Sequence, residues 1–270
     1  MKFQNIVDTH THTDNSFDGN CPVEDLCESA IAKGIKTVAF TDHIEIDFFY
    51  ENGFDKTADK SFIDITKAKD EYKDKLKVLS GIELGEATYD TACSEKLLNE
   101  KDYDIVLASI HNLRDVEDFY YLDYGKENID SLLRIYFNEL KVLADWAKFD
   151  SMAHLTYPLR YIVGEHDIYV DLKKYRNDID EVLSLLAEHD KALEINTSGL
   201  RQKLADTMPG EPIVKRFKEL GGKYITVGSD SHDAENMGAG IKRGMEIAKH
   251  CGFQYVTIFE KRKPVEIPIK

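Results

Sequence analysis

The chain predicts an α/β fold on a parallel sheet that closes, or nearly closes, into a barrel. Three observations carry that expectation. Short apolar runs alternate with longer amphipathic stretches without a break, the pattern of strands joined by crossover helices. The runs are rich in Val, Ile, Leu and Ala, as strands covered on both faces must be. The 270 residues match the roughly 250 that one barrel-type α/β domain uses. A doubly wound open sheet is the alternative.

The elements follow in order. Asn5–His12 is the first expected strand. Pro22, suited to a helix's first turn, precedes a helix over Glu24–Lys33, and Gly34 sits where its C-cap belongs. Strand Thr37–His43 leads to helix Phe62–Lys75, then strand Val78–Gly85 and helix Ser94–Glu100. Strand Asp104–His111 is followed by helix Ile129–Lys148, and strand Ser151–Leu155 by helix Leu172–Glu188. Strand Ala192–Thr197 precedes helix Ile213–Leu220, and strand Tyr224–Ser229 precedes helix Ile241–His250; Gly221 and Gly252 mark the two helix ends. The tail, Phe253–Lys270, is expected to add one or two edge strands. Residues 1–270 show no linker and no repeat, so one domain is expected. Three connections, Ile44–Lys60, Asn112–Asn128 and Thr156–Val170, are long for strand–helix loops. Each follows the C-terminal end of an expected strand, where barrels build their pockets.

Composition narrows the function. With 42% hydrophobic and 31% charged residues the chain is an ordinary globular one. No apolar run approaches the roughly 18–20 residues of a membrane span. The stretch Met1–Asp8 is too short and polar for a signal peptide. Cys21, Cys27, Cys93 and Cys251 form no C-x-x-C pair and are expected as free thiols in the cytoplasm. The net charge of −15 argues against nucleic acid and anionic membranes as partners. A small anionic substrate remains compatible if metal cations supply local positive charge.

The histidines point to those cations. Six of the nine, His10, His12, His43, His111, His154 and His232, fall at the C-terminal ends of expected strands. Asp18, Glu83, Glu86 and Asp230 join them there. In His10-Thr-His12 the two imidazoles share one face of a strand, and Asp230-Ser-His232 presents a carboxylate beside an imidazole. Imidazole and carboxylate without thiolate suit Zn, Mn or Fe. So many ligands exceed the needs of one ion, so two or three metals with a bridging carboxylate are expected. A hydrogen-bonded network without metal is the alternative.

These residues resemble a known family. His10-Thr-His12-Thr with Asp18, Thr41-Asp42-His43, Gly81-Ile-Glu83, Ser109-Ile-His111, Ala153-His154 and Gly228-Ser-Asp230-Ser-His232 are similar, in order, to the motifs of the PHP (polymerase and histidinol phosphatase) superfamily. The chain length, Phe17-Asp18-Gly19 and the Ser-Ile-His form resemble most its histidinol-phosphate phosphatase branch. The resemblance implies a distorted (β/α)₇ TIM-like barrel with three divalent metals at the C-terminal rim. It implies that His10, His12, Glu83 and Asp230 hold one ion. Glu83 would bridge to a second, held by His111 and His154, and Asp18, His43 and His232 would hold the third. Many family members carry a histidine where this chain has Asp18. The implied activity is hydrolysis of L-histidinol phosphate to L-histidinol and phosphate, in histidine biosynthesis. A water between two ions would lose its proton near neutral pH and attack phosphorus in line.

Glu83, Asp230, His232 and Asp42 are the expected catalytic residues, with Asp42 either fixing the tautomer of His43 or capping a strand end. Arg160 and Arg201, beyond strand ends, are candidate phosphate clamps. Glu45, Asp47, Asp115, Glu117 and Glu165 offer acidic partners to a cationic leaving group, and Phe48, Phe49, Tyr120 and Tyr157 aromatic walls. Other phosphoesters, such as nucleotides, are the alternative substrates. A non-catalytic metal-bound domain and an amidohydrolase are further readings; the second lacks a bridging lysine among the motifs.

Overall fold

A computed structural model describes residues 3–270 of the chain. Met1 and Lys2, the start of the stretch examined for a signal peptide, lie outside the described residues. The apolar runs form β1 (Ile6–Thr11), β2 (Ile35–Phe40), β3 (His43–Glu45), β4 (Lys77–Gly85), β5 (Ile105–Ser109), β6 (Ser151–Met152), β7 (Ala192–Asn196) and β8 (Ile225–Gly228). Their order is β1-β2-β4-β5-β6-β7-β8, every pairing parallel. Between β8 and β1 the main-chain bonds that close the ring lie at the C-terminal rim. There the amide of Asp230 donates to the carbonyl of His10 at 2.8 Å, and that of His12 to Ser231 at 2.9 Å. The result is the nearly closed, distorted TIM-like barrel, not the open sheet.

Helices α1 (Val23–Ala32), α2 (Phe54–Glu71), α3 (Thr91–Glu100), α4 (Ile129–Trp146), α5 (Arg176–Glu188), α6 (Glu211–Glu219) and α7 (Ile241–His250) complete the units. Gly34, Gly221 and Gly252 have φ of +77°, +98° and +95°, the left-handed ends expected of them. Three expectations need correction. The run Thr37–His43 breaks at Thr41-Asp42, and His43 opens β3, which pairs with β4 in the offset that β2 has already set. The break arises because the side chain of Asp42 accepts from the loop after β1 instead of standing in a ladder. Helix α2 starts at Phe54, eight residues before the expected Phe62, because Phe54, Ala58, Ser61, Ile65 and Ala68 form one continuous buried stripe. The tail makes no edge strand of the barrel. β9 (Tyr255–Glu260) and β10 (Lys263–Pro268) form an antiparallel sheet of their own.

That hairpin turns on Lys261-Arg262, both at positive φ, as a two-residue turn of this hand requires. Arg262 pairs with Asp150 and bonds the carbonyl of Lys148, while the amide of Lys261 donates to Asp104 at 3.1 Å. Asp104 and Asp150 directly precede β5 and β6, so the hairpin is tied beneath the barrel, opposite the histidine rim. Its Val256 and Ile258 are fully buried in the core. The four cysteines are free thiols. Among the described residues no helix is long and apolar enough to cross a membrane.

Candidate metal centre

The strand ends deliver the rim residues. His10 and His12 sit on one face of the end of β1 with ring centroids 5.0 Å apart. His43 opens β3, Glu83 lies in β4, and His111 and His154 follow β5 and β6. Asp230 and His232 follow β8. His154 and Asp230 hold left-handed backbone, with φ of 52° and 53°. Such conformations cost non-glycine residues about 1–3 kcal/mol and gather at functional sites. Asp18 comes from the loop after β1. A Cβ on Gly19 would stand 1.8 Å from the carbonyl oxygen of Thr13, so only glycine lets that loop fold back this tightly.

Glu83 is the hub. Its Oε2 lies 3.1 Å from His10 Nε2, 3.5 Å from His12 Nε2 and 3.2 Å from His43 Nδ1. Its Oε1 lies 2.8 Å from His154 Nε2 and 3.2 Å from His111 Nε2. Asp230 Oδ1 is 3.4 Å from His12 Nε2, and Asp18 Oδ2 is 3.0 Å from His232 Nε2 and 3.7 Å from His43 Nε2. Every rim residue that the sequence singles out as a metal ligand is therefore brought into one cluster. His43 stands in its middle, one ring nitrogen toward Glu83 and the other toward Asp18.

The donor set fits divalent cations. Ligand atoms of His10, His12 and Glu83 lie within 4.8 Å of one another, as do those of His12, His43 and His232, and those of His43, Glu83 and His111. His12 Nε2, His43 Nδ1 and His232 Nε2 are buried without a hydrogen-bond partner. An unsatisfied buried polar atom costs about 1–3 kcal/mol, and a cation would satisfy several together.

The charges tell the same story. Burial opposes ionisation of Glu83 and Asp230, yet the imidazoles around them hold both carboxyls well below their usual range. Burial likewise opposes protonation of His10 and His111, but Glu194 and Glu45 respectively, with Glu83, raise both well above the ordinary value. His43 is raised to about 9, against its burial, chiefly by Glu83. His12, desolvated and flanked by His232 and His43, falls to about 3. The carboxylates of this pocket demand positive charge.

The other candidates divide. Arg160 donates to Asp230 Oδ2 at 2.8 Å and Ser198 Oγ at 2.7 Å, and it lines the cavity above the cluster. Arg201 instead gives its two Nη atoms to the carbonyls of Ser229 and Asp230, both at 2.6 Å, and does not line that cavity. Asp42 makes no bond to the His43 ring. It accepts from the Thr13 amide at 2.6 Å and from Ser16 Oγ at 3.1 Å, and Ser16 Oγ lies 3.2 Å from His12 Nδ1. Asp42 thus latches the loop carrying Asp18 and reaches His12 through Ser16. Glu45, read as a loop contact for substrate, stands 3.2 Å from His43 Nδ1 and 3.3 Å from His111 Nδ1. Glu86 accepts from the His111 amide at 2.6 Å. Glu165 pairs with Lys203 away from the cavity. Sequence reasoning missed Glu194, fully buried, whose Oε1 lies 2.7 Å from His10 Nδ1. Its one signal was a carboxylate inside the apolar run Ala192-Leu-Glu-Ile-Asn.

The cavity has a volume of about 1430 Å³; His43, His111, His154, Asp230 and His232 line it, with His10, His12 and Glu83 fully buried behind them. All three long connections line it, contributing Asp47 and Phe48, Glu117 and Tyr120, Tyr157 and Arg160. Asp115 and Phe49 line it as well.

Residues 8–198 match the model of the PHP domain. The chain belongs to the PHP domain family. Among PHP relatives, a probable histidinol-phosphatase of Clostridium acetobutylicum is 30% identical over 259 residues, 95% of this chain and 98% of the relative. A histidinol-phosphatase of Lactococcus lactis is 30% identical over 266 residues, 95% of each chain. A crystal structure of histidinol phosphate phosphatase from Lactococcus lactis, complexed with zinc, L-histidinol and phosphate, superposes with a TM-score of 0.80 at 26% identity, covering 97% of this PHP chain and 99% of that one.

Proposed function

We propose that this PHP protein is a metal-dependent phosphomonoesterase that hydrolyses L-histidinol phosphate to L-histidinol and phosphate. The observation that carries the reading is the cluster beneath the cavity, where the unpartnered ring nitrogens of His12 and His43 face the shared carboxylate of Glu83. The relatives named for this substrate, similar over nearly the whole chain, support it. In this reading residues 1–270 act as one domain in the cytoplasm, without nucleic-acid or membrane partners.

Three divalent ions of the Zn, Mn or Fe class fit the ligand set. His10, His12, Glu83 and Asp230 would hold the first, Glu83 with His111 and His154 the second, and Asp18, His43 and His232 the third. Bound there, such ions supply Lewis-acid charge that acidifies water and draws phosphoryl oxygens.

The remaining work falls to the chain itself. Glu83 turns one oxygen to His10 and the other to His154, so a single carboxylate sets the spacing between two sites. Arg160 is anchored by Asp230 and Ser198 in the wall of the cavity, which places its guanidinium to orient the phosphate. Asp47, Asp115 and Glu117 line the cavity where they would face the ammonium of histidinol, and Phe48, Tyr120 and Tyr157 would face its imidazole. The acidic exterior repels phosphate esters in general, and the cationic floor reverses that sign where the reacting group must sit.

Phosphate release from L-histidinol phosphate, run beside 5′-nucleotides and p-nitrophenyl phosphate on metal-quantified protein, tests the reading. A preference in kcat/KM of about a hundredfold, roughly 2.7 kcal/mol of transition-state discrimination, is expected. Unselective release at full metal content would move the protein to another phosphoester.

A further inference from the structure

Behind the ligand cluster lies a buried polar layer that makes no contact with the cavity. Glu194 and Asn196 sit two residues apart on β7, so both side chains point into the barrel from one face. Both are fully buried. Glu194 Oε1 lies 2.7 Å from His10 Nδ1. Asn196 Nδ2 donates to Glu194 Oε2 at 3.2 Å and to Asp230 Oδ2 at 3.3 Å. The opposite nitrogen of His10 faces Glu83 Oε2 at 3.1 Å and Asp230 Oδ1 at 3.8 Å. Room for this layer is reserved in the backbone. A Cβ on Gly228 would stand 2.3 Å from Glu194 Oε1 and 2.3 Å from His10 Cβ. Any side chain there would push the pair apart.

We propose that Glu194 is a positioning residue for the metal centre, holding Nδ1–H of His10 so that Nε2 presents its lone pair to the cation, with Asn196 tying Glu194 to Asp230. The inference rests on the functional reading above, since it takes His10 and Asp230 as ligands. An imidazole has two usable nitrogens, and the partner of one decides which is left to bind. Glu194 faces only His10 and Asn196 among these groups, so its carboxylate acts on the cation through the ring. Asn196 touches both the positioning carboxylate and a ligand carboxylate, which makes the orientation of His10 and that of Asp230 one property.

The test uses the 270-residue chain and zinc, with a chromophoric chelator as competitor, so that no substrate is needed. Glu194→Gln keeps the shape and removes the charge, and is expected to weaken zinc binding about ten- to hundredfold. Asn196→Ala, which leaves the carboxylate but frees it, is expected to weaken it less. Circular dichroism of the metal-free variants checks folding. If either variant is misfolded, nitrogen-15 correlation of the His rings in the zinc-loaded parent protein decides the matter. His10 bound through Nε2, with a slowly exchanging Nδ1 proton, is the expected result. Binding through Nδ1, or a folded Glu194→Gln protein that holds zinc as tightly as the parent, overturns the proposal. A parent chain that binds no zinc would instead overturn the functional reading beneath it.

Discussion

Replacing Glu83 by glutamine tests the hub of the site without changing its shape. The carboxylate lies 2.8–3.5 Å from nitrogens of five imidazoles, those of His154, His10, His111, His43 and His12. At a separation near 3 Å and an effective dielectric constant of about 20, one unit of opposite charge is worth roughly 5 kcal/mol. Relaxation and the retained amide oxygen recover part of that. A loss of about 4 kcal/mol, or roughly a thousandfold in cation affinity, is the expected net effect. Two of the proposed ions share this residue, so metal content should fall from three to about one per chain at limiting metal. Phosphate release should drop by at least the same thousandfold even with metal in excess. The assays are chelator competition, elemental analysis after gel filtration, and initial rates at several metal concentrations. A folded Glu83→Gln protein that keeps its full metal complement and turns over within tenfold of the parent would refute the shared-carboxylate reasoning.

Other outcomes follow from the same geometry. Arg160→Met removes a charged donor from Asp230 and from the proposed phosphate position, so kcat/KM should fall about ten- to hundredfold, the value of one charge-assisted hydrogen bond; steady-state kinetics with an unchanged ratio would remove Arg160 from the site. Asp104, buried yet held below its ordinary pKa by Lys69 and by the Ser80 and Lys261 amides, contributes stability that is present above the unfolded value of 3.8 and is lost as pH falls through the lowered one. Urea midpoints measured from pH 5 down to 2 should therefore fall steeply for the parent and less steeply for Asp104→Asn. Phe137, on the buried face of α4, should cost about 3–5 kcal/mol on replacement by alanine, read as a lower urea midpoint with an unchanged m-value.

What could be read before folding was whatever the chain writes locally. The rim histidines stand at or just past the ends of apolar runs, so position in the run already says which end of the barrel each occupies. His10 and His12 needed only the two-residue period of a strand. Glu194 illustrates the opposite case. Its partner His10 is 184 residues away, and nothing near residue 194 hints at an imidazole. Arg201 shows why a residue type past a strand end is weaker information than a ligand motif. A guanidinium serves two carbonyls as readily as a phosphate, and only the left-handed turn at Asp230, which Arg201 bonds, decides between them. The break at Thr41-Asp42 was hidden because both residues fit a strand pattern. The competing bonds to Thr13 and Ser16 come from a different strand's loop.

The seam between β1 and β8 gives the site a structural role as well as a chemical one. The residues that join there are about 220 positions apart; Thr9 bonds Val227 across a separation of 218. Bringing such distant segments together costs about 5 kcal/mol in loop-closure entropy. The two main-chain bonds of the seam flank the ligands themselves, His10 and His12 on one side and Asp230 and His232 on the other. In the proposed reading a cation held by both sides would be a clasp on the last gap of the ring, one that needs residues from both ends of the chain, from His10 to His232.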